Sequence, residues 1–267
     1  MEDRRLPHCL RAIKNVESDC TVHHLGLVPY EQAWQLQDRL AVEIAAGTRP
    51  ATLLLLEHPH TYTFGRSGKA ENLLWDQAEL DRRGVSVHWV DRGGDVTYHG
   101  PGQLVGYPLL SLGAAGLQPG SATGSARLPQ ADYVGYIRRL ELALILALDR
   151  LGVASVQIPN LTGVWVQAPL ARSEPNAPGD APRPPAKIAA IGVKVDARGV
   201  SRHGFALNVN PDMSYWEGII GCGLADYPVT ALAEWVEPLP SMEMVIVAVI
   251  EAFGEITGYR MVEKEYA

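Results

Sequence analysis

Apolar residues in the first quarter of the chain come in short blocks, a pattern that predicts β-strands separated by a helix. TVHHLGLV (21–28) and the apolar run TLLLLE (52–57) predict strands, and the second run is typical of a buried strand. Pro29 opens a helix that Gly47 ends. The positions of this helix that share one face are Tyr30, Trp34, Ala41 and Ile44.

Polar and breaker residues dominate the next segment, so 58–74 is expected to be mostly loop. DQAELDRRG (76–84) predicts a short helix, and VSVHWV (85–90) alternates as a strand does. LVGYPLL (104–110) predicts a further strand. The residues between, RGGDVTYHGPGQ (92–103), are therefore expected to join two strands of a central sheet.

The strongest helical pattern of the chain covers roughly 131–151. The residues expected on its buried face are Val134, Ile137, Leu144 and Leu148. Strands are expected at 153–159 and 162–166. KIAAIGVKV (187–195) and HGFALNVN (203–210), joined by a short turn, predict a β-hairpin. A last helix is expected over about 242–256.

Two internal segments lack hydrophobic periodicity. Residues 113–130 are rich in glycine and alanine and predict a mobile connection. Residues 168–186 hold six prolines and few large apolar side chains, so we expect a disordered surface insertion. With a polar tail over 1–20, the expected organisation is a single domain over 21–267.

Composition narrows the class of protein. The 267 residues are 47% hydrophobic, enough for a sizeable core, and the net charge of −7 argues against a general nucleic-acid binder. Three widely spaced cysteines, Cys9, Cys20 and Cys222, suggest neither a disulfide framework nor a zinc site. No apolar run is long enough to span a bilayer. We therefore expect a soluble cytoplasmic protein without a membrane partner.

The segment 92–103 is the strongest candidate for a binding site. It places glycine and proline breakers around an arginine, an aspartate, a threonine, a histidine and a glutamine. Gly93 and Gly94 permit positive φ and close backbone approach, and Pro101 with Gly102 enforces a second turn. A surface turn with incidental polar residues is the simpler alternative, but this crowding favours a substrate-lining loop.

Cys222 and Lys187 are the candidates for chemistry. Cys222 stands between two glycines in IIGCGL, so a substrate carbonyl could reach its sulfur and the amide of Gly223 could face a developing oxyanion. A lone cysteine is more often a small buried hydrophobe. Lys187 begins an apolar strand, where burial beside a thiolate would favour both charges. Lys194 has the opposite strand parity and is the weaker candidate.

The sequence offers no support for a metal or a nucleotide. Its histidines lack the spacing of a metal site, and neither GxxxxGK[ST] nor a strand-linked GxGxxG occurs. We therefore expect no cofactor.

The chain resembles the lipoyl(octanoyl) transferases, which move an octanoyl group from acyl carrier protein to a lysine of lipoyl domains. RGGDVTYHGPGQLVGYPLL resembles the signature of that family, and LLLLEHPHTYTFGRSGKAENLL, TGVWV, KIAAIGVKV, HGFALNVN and the Cys-Gly of IIGCGL stand in family order. The resemblance covers about 20–235. It implies an α/β fold of the α+β kind, with a mixed β-sheet flanked by helices as in lipoate and biotin protein ligases.

The resemblance also implies roles for individual residues. Cys222 would accept the acyl group, and Lys187 would lower the pKa of that thiol and shuttle protons. Substrate contacts are implied for Arg92, Gly93, Gly94, Asp95, Val96, Thr97, Tyr98 and His99, for Ala190, Ile191 and Gly192, and for Gly204, Phe205 and Ala206.

Two alternatives to the transferase remain at the level of sequence. One is an ATP-dependent lipoate or biotin ligase, and the other is a binding module of the same fold that does not turn over. Where the family usually has proline this chain has Gly221, which would loosen the nucleophile loop. Both implied partners, acyl carrier protein and lipoyl domains, are usually acidic, so a basic rim is expected. Its candidates are Arg66, Lys69, Arg82, Arg83, Arg138 and Arg139.

Overall fold

The computed structural model describes residues 18–112, 132–167, 184–221 and 227–266. The elements in chain order are β1 (Asp19–Leu27), α1 (Tyr30–Ala45), β2 (Ala51–Glu57), β3 (Thr61–Phe64), α2 (Gln77–Arg83), β4 (Ser86–Trp89), β5 (Val96–His99), β6 (Gln103–Leu109), α3 (Tyr133–Arg150), β7 (Val156–Ile158), β8 (Leu161–Val166), β9 (Ala186–Val195), β10 (Ser201–Asn208), α4 (Met242–Thr257) and β11 (Arg260–Glu263).

Eight strands form a mixed sheet in the order β11-β1-β2-β6-β10-β9-β8-β7. β11, β1 and β2 run parallel to one another, and the remaining neighbours are antiparallel. A smaller sheet has the order β4-β3-β5. The expected mixed sheet flanked by helices is confirmed.

Strand β2 shows why a continuous apolar run forms a central strand. Leu53 and Leu55 belong to the core formed with α3 and α4. Leu54 and Leu56 belong to the core on the other face, formed with α1. Since alternate side chains point to opposite faces, a strand covered by helices on both sides needs apolar residues at every position.

One expectation about local structure was incomplete and another was wrong. The segment 58–74 is mostly loop, but it also contains Thr61–Phe64, a fully buried strand of the small sheet. Residues 92–103 do not join two strands of the central sheet: VTYH is itself strand β5, and Arg92–Asp95 connects β4 to β5 within the small sheet. The glycines and proline flank a strand of four residues and do not interrupt it.

The buried face of α3 also differs in part from the expected one. Val134 is 69% exposed, while Leu144 and Leu148 are buried as expected. The face towards the sheet runs through Tyr136 and Leu140. The predicted strand 21–28, helix 242–256 and hairpin 187–210 are confirmed within a few residues. The calls on 1–17, 113–131, 168–183 and 222–226 lie outside the described residues.

Candidate active site

A cleft opens between the small sheet and the β9–β10 hairpin of the large sheet. We call it the main cleft; it encloses about 40 Å³. Its walls come from α1, the 92–99 segment, β6, β9 and β10. The lining residues are Tyr30, Arg92, Gly94, Thr97, His99, Tyr107, Ala190, Ile191, Gly192, His203, Gly204, Phe205 and Ala206.

The loop Arg92–Asp95 is held from both sides by backbone hydrogen bonds. The amides of Arg66 and Ser67 donate to the carbonyls of Arg92 (2.9 Å) and Gly94 (3.1 Å). From β9, Val193 accepts a bond of 3.0 Å from the amide of Gly93. The loop therefore links the small sheet to the hairpin across the cleft.

The side chain of Arg92 turns inward and is buried. Its guanidinium donates to the carbonyl and, at 3.0 Å, to the hydroxyl of Thr63, and at 2.9 Å to the carbonyl of Gly93. A Cβ atom on Gly192 would lie 3.0 Å from Cδ of Arg92. It would also lie 3.1 Å from the carbonyl oxygen of Gly93, so any side chain at 192 would crowd both groups.

Glycine at 204 serves the packing of the sheet. A Cβ atom there would lie 2.1 Å from the carbonyl oxygen of Gly106 on the neighbouring strand. A Cβ atom on Gly106 would in turn lie 2.1 Å from the ring of Phe205. Gly204, for which the resemblance implies a substrate contact, is therefore also required by the packing of β10 against β6.

Histidine and tyrosine side chains form one end of the main cleft. Nδ1 of His58 lies 2.6 Å from the carbonyl oxygen of Val28, so this nitrogen carries the proton. Its Nε2 then accepts from the hydroxyl of Tyr107 at 2.7 Å. Burial lowers the pKa of His58 to about 4, and burial likewise holds the pKa of His99 well below its ordinary value. These rings form a neutral wall.

His203 lies beside that wall and makes contact with a group of charges. It has a positive φ of 57° and donates from Nε2 to Asp91 at 2.7 Å. Asp91 also accepts from Lys194 and, at 2.8 Å, from Arg202. The bonds from His203 and Lys194 lower the pKa of Asp91 to about 2, against the effect of burial. Lys194 is thus committed to Asp91, as its strand parity suggested.

Lys187 lies in a second, smaller cavity of about 10 Å³, which we call the lysine pocket. Its side chain is only 7% exposed, and its Nζ lies 4.7 Å from the centre of the Trp165 ring. Within the described residues no carboxylate forms an ion pair with Lys187. The pocket is lined by Thr97, Trp165, Lys187, Ala190, Trp216, Gly221, Tyr227 and Val229.

The two cavities meet at Thr97 and Ala190, which line both. Lys187 is therefore adjacent to the main cleft. Gly221 and Tyr227, which bracket the residues 222–226, both line the lysine pocket. Cys222 itself lies outside the described residues.

The predicted substrate residues separate into two groups. Most line the main cleft, but Val96 and Tyr98 point into the core of the small sheet. Asp95 accepts from Nδ2 of Asn72, and Gly93 contacts β9 through its backbone. Tyr30, Tyr107 and His203 line the cleft without having been predicted. Of these, only His203 had a visible signal, because it begins the HGFALNVN strand.

The described ranges contain neither a cluster of metal ligands nor a membrane-spanning helix. No three His, Cys, Asp or Glu side chains there lie close enough together to hold a metal ion. No helix among the described residues is long and apolar enough to cross a bilayer.

The sequence is similar to those of bacterial octanoyltransferases. The octanoyltransferase of Chloroflexus aurantiacus is 42% identical over 236 residues, which are 88% of this chain and 93% of that protein. The octanoyltransferase of Solibacter usitatus is 44% identical, over 80% of this chain and 83% of its own.

Two solved structures share the fold at 17% identity. A bipartite lipoate protein ligase from Thermoplasma acidophilum has a TM-score of 0.66, covering 94% of this chain and 88% of that chain. Lipoate-protein ligase A bound with ATP has a TM-score of 0.64, covering 93% and 90%. The family model described as the lipoyl protein ligase A/B catalytic domain matches residues 29–254. The chain belongs to the family of lipoyl protein ligase A/B catalytic domains.

Proposed function

We propose that this acyltransferase moves an octanoyl group from octanoyl-acyl carrier protein to a lysine of lipoyl domains, through a thioester on Cys222. The observation that carries the proposal is the meeting of the lysine pocket with the main cleft at Thr97 and Ala190. An acyl chain in the cleft would present its carbonyl carbon beside Lys187. The location we propose for this activity is the cytoplasm.

The main cleft suits an unbranched alkyl chain. Ala190, Ile191, Phe205 and Ala206 supply apolar surface along β9 and β10. At the end of the cleft, the rings of Tyr30 and His99 lie 5.9 Å apart, nearly parallel. In this proposal the neutral wall stops the methyl end of the acyl group.

The first half-reaction exchanges one thioester for another. The thiolate of Cys222 attacks the carbonyl carbon, a bond forms between that carbon and the cysteine sulfur, and the bond to the carrier sulfur breaks. The ammonium of Lys187 gives a proton to the departing carrier thiolate. The bonds made and broken are of one kind, so the step is nearly balanced in energy and needs no ATP.

The second half-reaction makes an amide. The neutral amine of the acceptor lysine attacks the acyl-enzyme, a carbon–nitrogen bond forms, and the cysteine leaves as thiolate. Neutral Lys187 takes the proton that the amine loses, so the thiolate and ammonium pair is restored. Aminolysis of a thioester runs downhill and completes the cycle.

The surroundings of Lys187 support this role. A carboxylate bonded to its ammonium would compete with the thiolate for the positive charge. The described residues place an aromatic ring there instead, which attracts a cation without adding negative charge. The ammonium is thus left available to the cysteine.

An ATP-dependent ligase is the second candidate, because lipoate ligases share this fold. The sequence relatives favour transfer, since octanoyltransferases are 42% and 44% identical to this chain and the ligase structures only 17%. The absence of a phosphate-binding motif in the sequence points the same way.

The direct test is transfer from octanoyl-acyl carrier protein to a lipoyl domain without ATP, measured from the mass of the lipoyl domain. We expect Lys187→Met and Cys222→Ala each to abolish transfer, and Lys194→Met to retain it. Modification that requires ATP and free octanoate would establish the ligase instead.

A further inference from the structure

Three residues that line the lysine pocket carry buried hydrogen-bond donors with no protein acceptor among the described residues. The hydroxyl of Thr97 and the indole N–H groups of Trp165 and Trp216 are all buried without a partner there. A buried hydroxyl without a hydrogen bond destabilises a fold, so such a group needs an explanation.

The hydrogen-bonding groups that line the lysine pocket indicate which kind of ligand atom would bind there. Besides these groups, the polar side chains that line the pocket are the ammonium of Lys187 and the hydroxyl of Tyr227. Indole and ammonium groups only donate, and a hydroxyl donates readily. No carboxylate lines the pocket within the described residues. Such a set fits an atom that accepts hydrogen bonds and carries negative charge.

The size and position of the pocket point to a single oxygen atom. Its volume of about 10 Å³ is close to that of one water-sized group. Thr97 is 7% exposed and lines both cavities, so its side chain stands where an acyl chain from the main cleft would reach Lys187. The acyl carbonyl belongs at this junction.

We propose that the hydroxyl of Thr97 donates a hydrogen bond to the carbonyl oxygen of the acyl thioester, and a stronger one to the oxyanion formed when a nucleophile adds. The inference rests on the proposed function and adds a catalytic residue to it. Thr97 gives up no proton: the oxygen gains charge on attack and loses it when the carbon–sulfur bond breaks. A donor fixed in place stabilises the transition state more than the ground state.

Strand β5 explains how this side chain is held. Thr97 pairs with Thr63 of β3 across the small sheet. The hydroxyl of Thr63 is engaged by Arg92 at 3.0 Å and by His99 at 3.3 Å. Thr97 has no such protein partner in the described part of the chain, although it occupies the adjacent position on the sheet. Of these two threonine hydroxyls, that of Thr97 is therefore available to bind a ligand.

Thr97→Val is the decisive variant, because valine keeps the shape of the side chain and replaces the hydroxyl with a methyl group that cannot donate a hydrogen bond. We expect kcat for octanoyl transfer to fall about 100-fold or more, with KM for the octanoyl donor nearly unchanged. The melting temperature should stay the same or rise, because an unpartnered buried hydroxyl is lost. Thr97→Ser should restore most of kcat.

Thr52→Val is the matched control. Thr52 is a fully buried threonine of β2 that lines neither cavity, and its hydroxyl donates to the carbonyl of Pro50 at 3.1 Å. Removing it should lower the melting temperature and leave kcat unchanged. Thr97→Val is thus expected to lower kcat without lowering the melting temperature, and Thr52→Val to lower the melting temperature without changing kcat.

Two outcomes would overturn the role of Thr97. One is a Thr97→Val enzyme with kcat within about threefold of the wild type, a difference of well under 1 kcal/mol. The other is a Thr97→Ser enzyme as slow as the valine variant. Failure of the proposed function looks different, because the wild-type protein would then form no octanoyl adduct on Cys222.

Discussion

At the scale of single residues, Trp165 is the group that holds Lys187. The ring is fully buried, lies 4.7 Å from the ammonium and packs edge-on against Tyr227 at 5.3 Å. Cation–π contacts contribute roughly 0.5 to 2 kcal/mol, the larger values where water is excluded. The ring therefore holds the ammonium group in place for the role that the proposed mechanism gives it.

Replacing the Trp165 ring should change the pH at which the Cys222 thiol becomes reactive. We expect Trp165→Leu to raise the pH midpoint of Cys222 alkylation by iodoacetamide by about one unit, since 1.36 kcal/mol corresponds to one unit. Trp165→Phe, which keeps a π face, should shift it less. Phe253→Leu, which removes a buried aromatic from α4, is the control. Equal midpoints in the wild type and the leucine variant would contradict the role of Trp165.

At the scale of elements, a bulge between β8 and β9 places Trp165 opposite Lys187, with Ile188 of β9 as the extra residue. The register between β8 and β9 shifts between Val164 and Trp165, next to Gly163 with φ of +124°. The amide of Gly163 donates at 3.0 Å to Glu141, a carboxylate of α3 that is fully buried and paired with Arg138 at 2.6 Å. The helix thus fixes the shape of the strand beside the site.

Gly163 should therefore tolerate no side chain. A Cβ atom there would lie 2.7 Å from the carbonyl oxygen of Ala189 and 3.4 Å from Cε of Lys187. We expect Gly163→Ala to lower the free energy of unfolding by about 3 kcal/mol or more and to reduce transfer. Gly152→Ala, with a positive φ but open space, should cost about 1 kcal/mol and leave activity intact. Urea unfolding measures both, and equal losses would refute the steric argument.

Elements with a clear period were predictable from sequence, and those that depend on distant partners were not. The breakers around 92–103 located one wall of the cleft, whereas the contacts on β9 and β10 were implied only by the family resemblance. Strand β3 was missed because TYTF is short and lies between loops. Its four residues are buried because β3 is the central strand of the small sheet, between β4 and β5. Tyr30 and Tyr107 come from α1 and β6, so only the folded chain brings them together.

At the scale of the whole molecule, the proposed function requires a chain with a net charge of −7 to dock partners that are expected to be acidic. Arg66 and Lys69 are exposed on the loop that holds Arg92–Asp95 in place. Lys69 lies 3.7 Å from Glu71, whereas Arg66 forms no ion pair among the described residues. Arg82 and Arg83 pair with Glu79, and Arg138 pairs with Glu141. This loop is the part of the expected basic rim that lies beside the cleft.

Charge reversal there should slow the second half-reaction. We expect Arg66→Glu to reduce discharge of preformed acyl-enzyme by a lipoyl domain about tenfold at low salt, with a smaller effect at high salt because ions screen exposed charges. Arg39→Glu makes the same charge change on exposed α1 and should leave discharge unchanged. An effect independent of salt, or equal in both variants, would argue against docking at this loop.

The buried histidines make stability depend on pH. Burial lowers the pKa of His58 to about 4, so its neutral form is favoured in the folded protein, while the unfolded chain takes up a proton near pH 6.5. Stability is therefore complete above pH 6.5 and is lost as pH falls towards 4, by on the order of 3 kcal/mol from this residue. His99 and His203, with pKa values also lowered by burial, act in the same direction.

Unfolding in urea between pH 7.5 and 4 measures this loss. His58→Gln keeps a donor for Val28 and an acceptor for Tyr107 but cannot titrate, so its stability should depend less on pH. A wild-type free energy of unfolding that stays flat over this range would show that the histidines are not held neutral.

The central claim is that Cys222 carries the acyl group, and intact mass spectrometry tests it most directly. The purified protein is incubated with octanoyl-acyl carrier protein, beside a Cys222→Ala control. We expect a gain of one octanoyl group on the wild type, none on the control, and loss of the adduct when a lipoyl domain is added without ATP. A wild-type protein that gains no octanoyl group, yet modifies the lipoyl domain once ATP and free octanoate are supplied, would contradict the account.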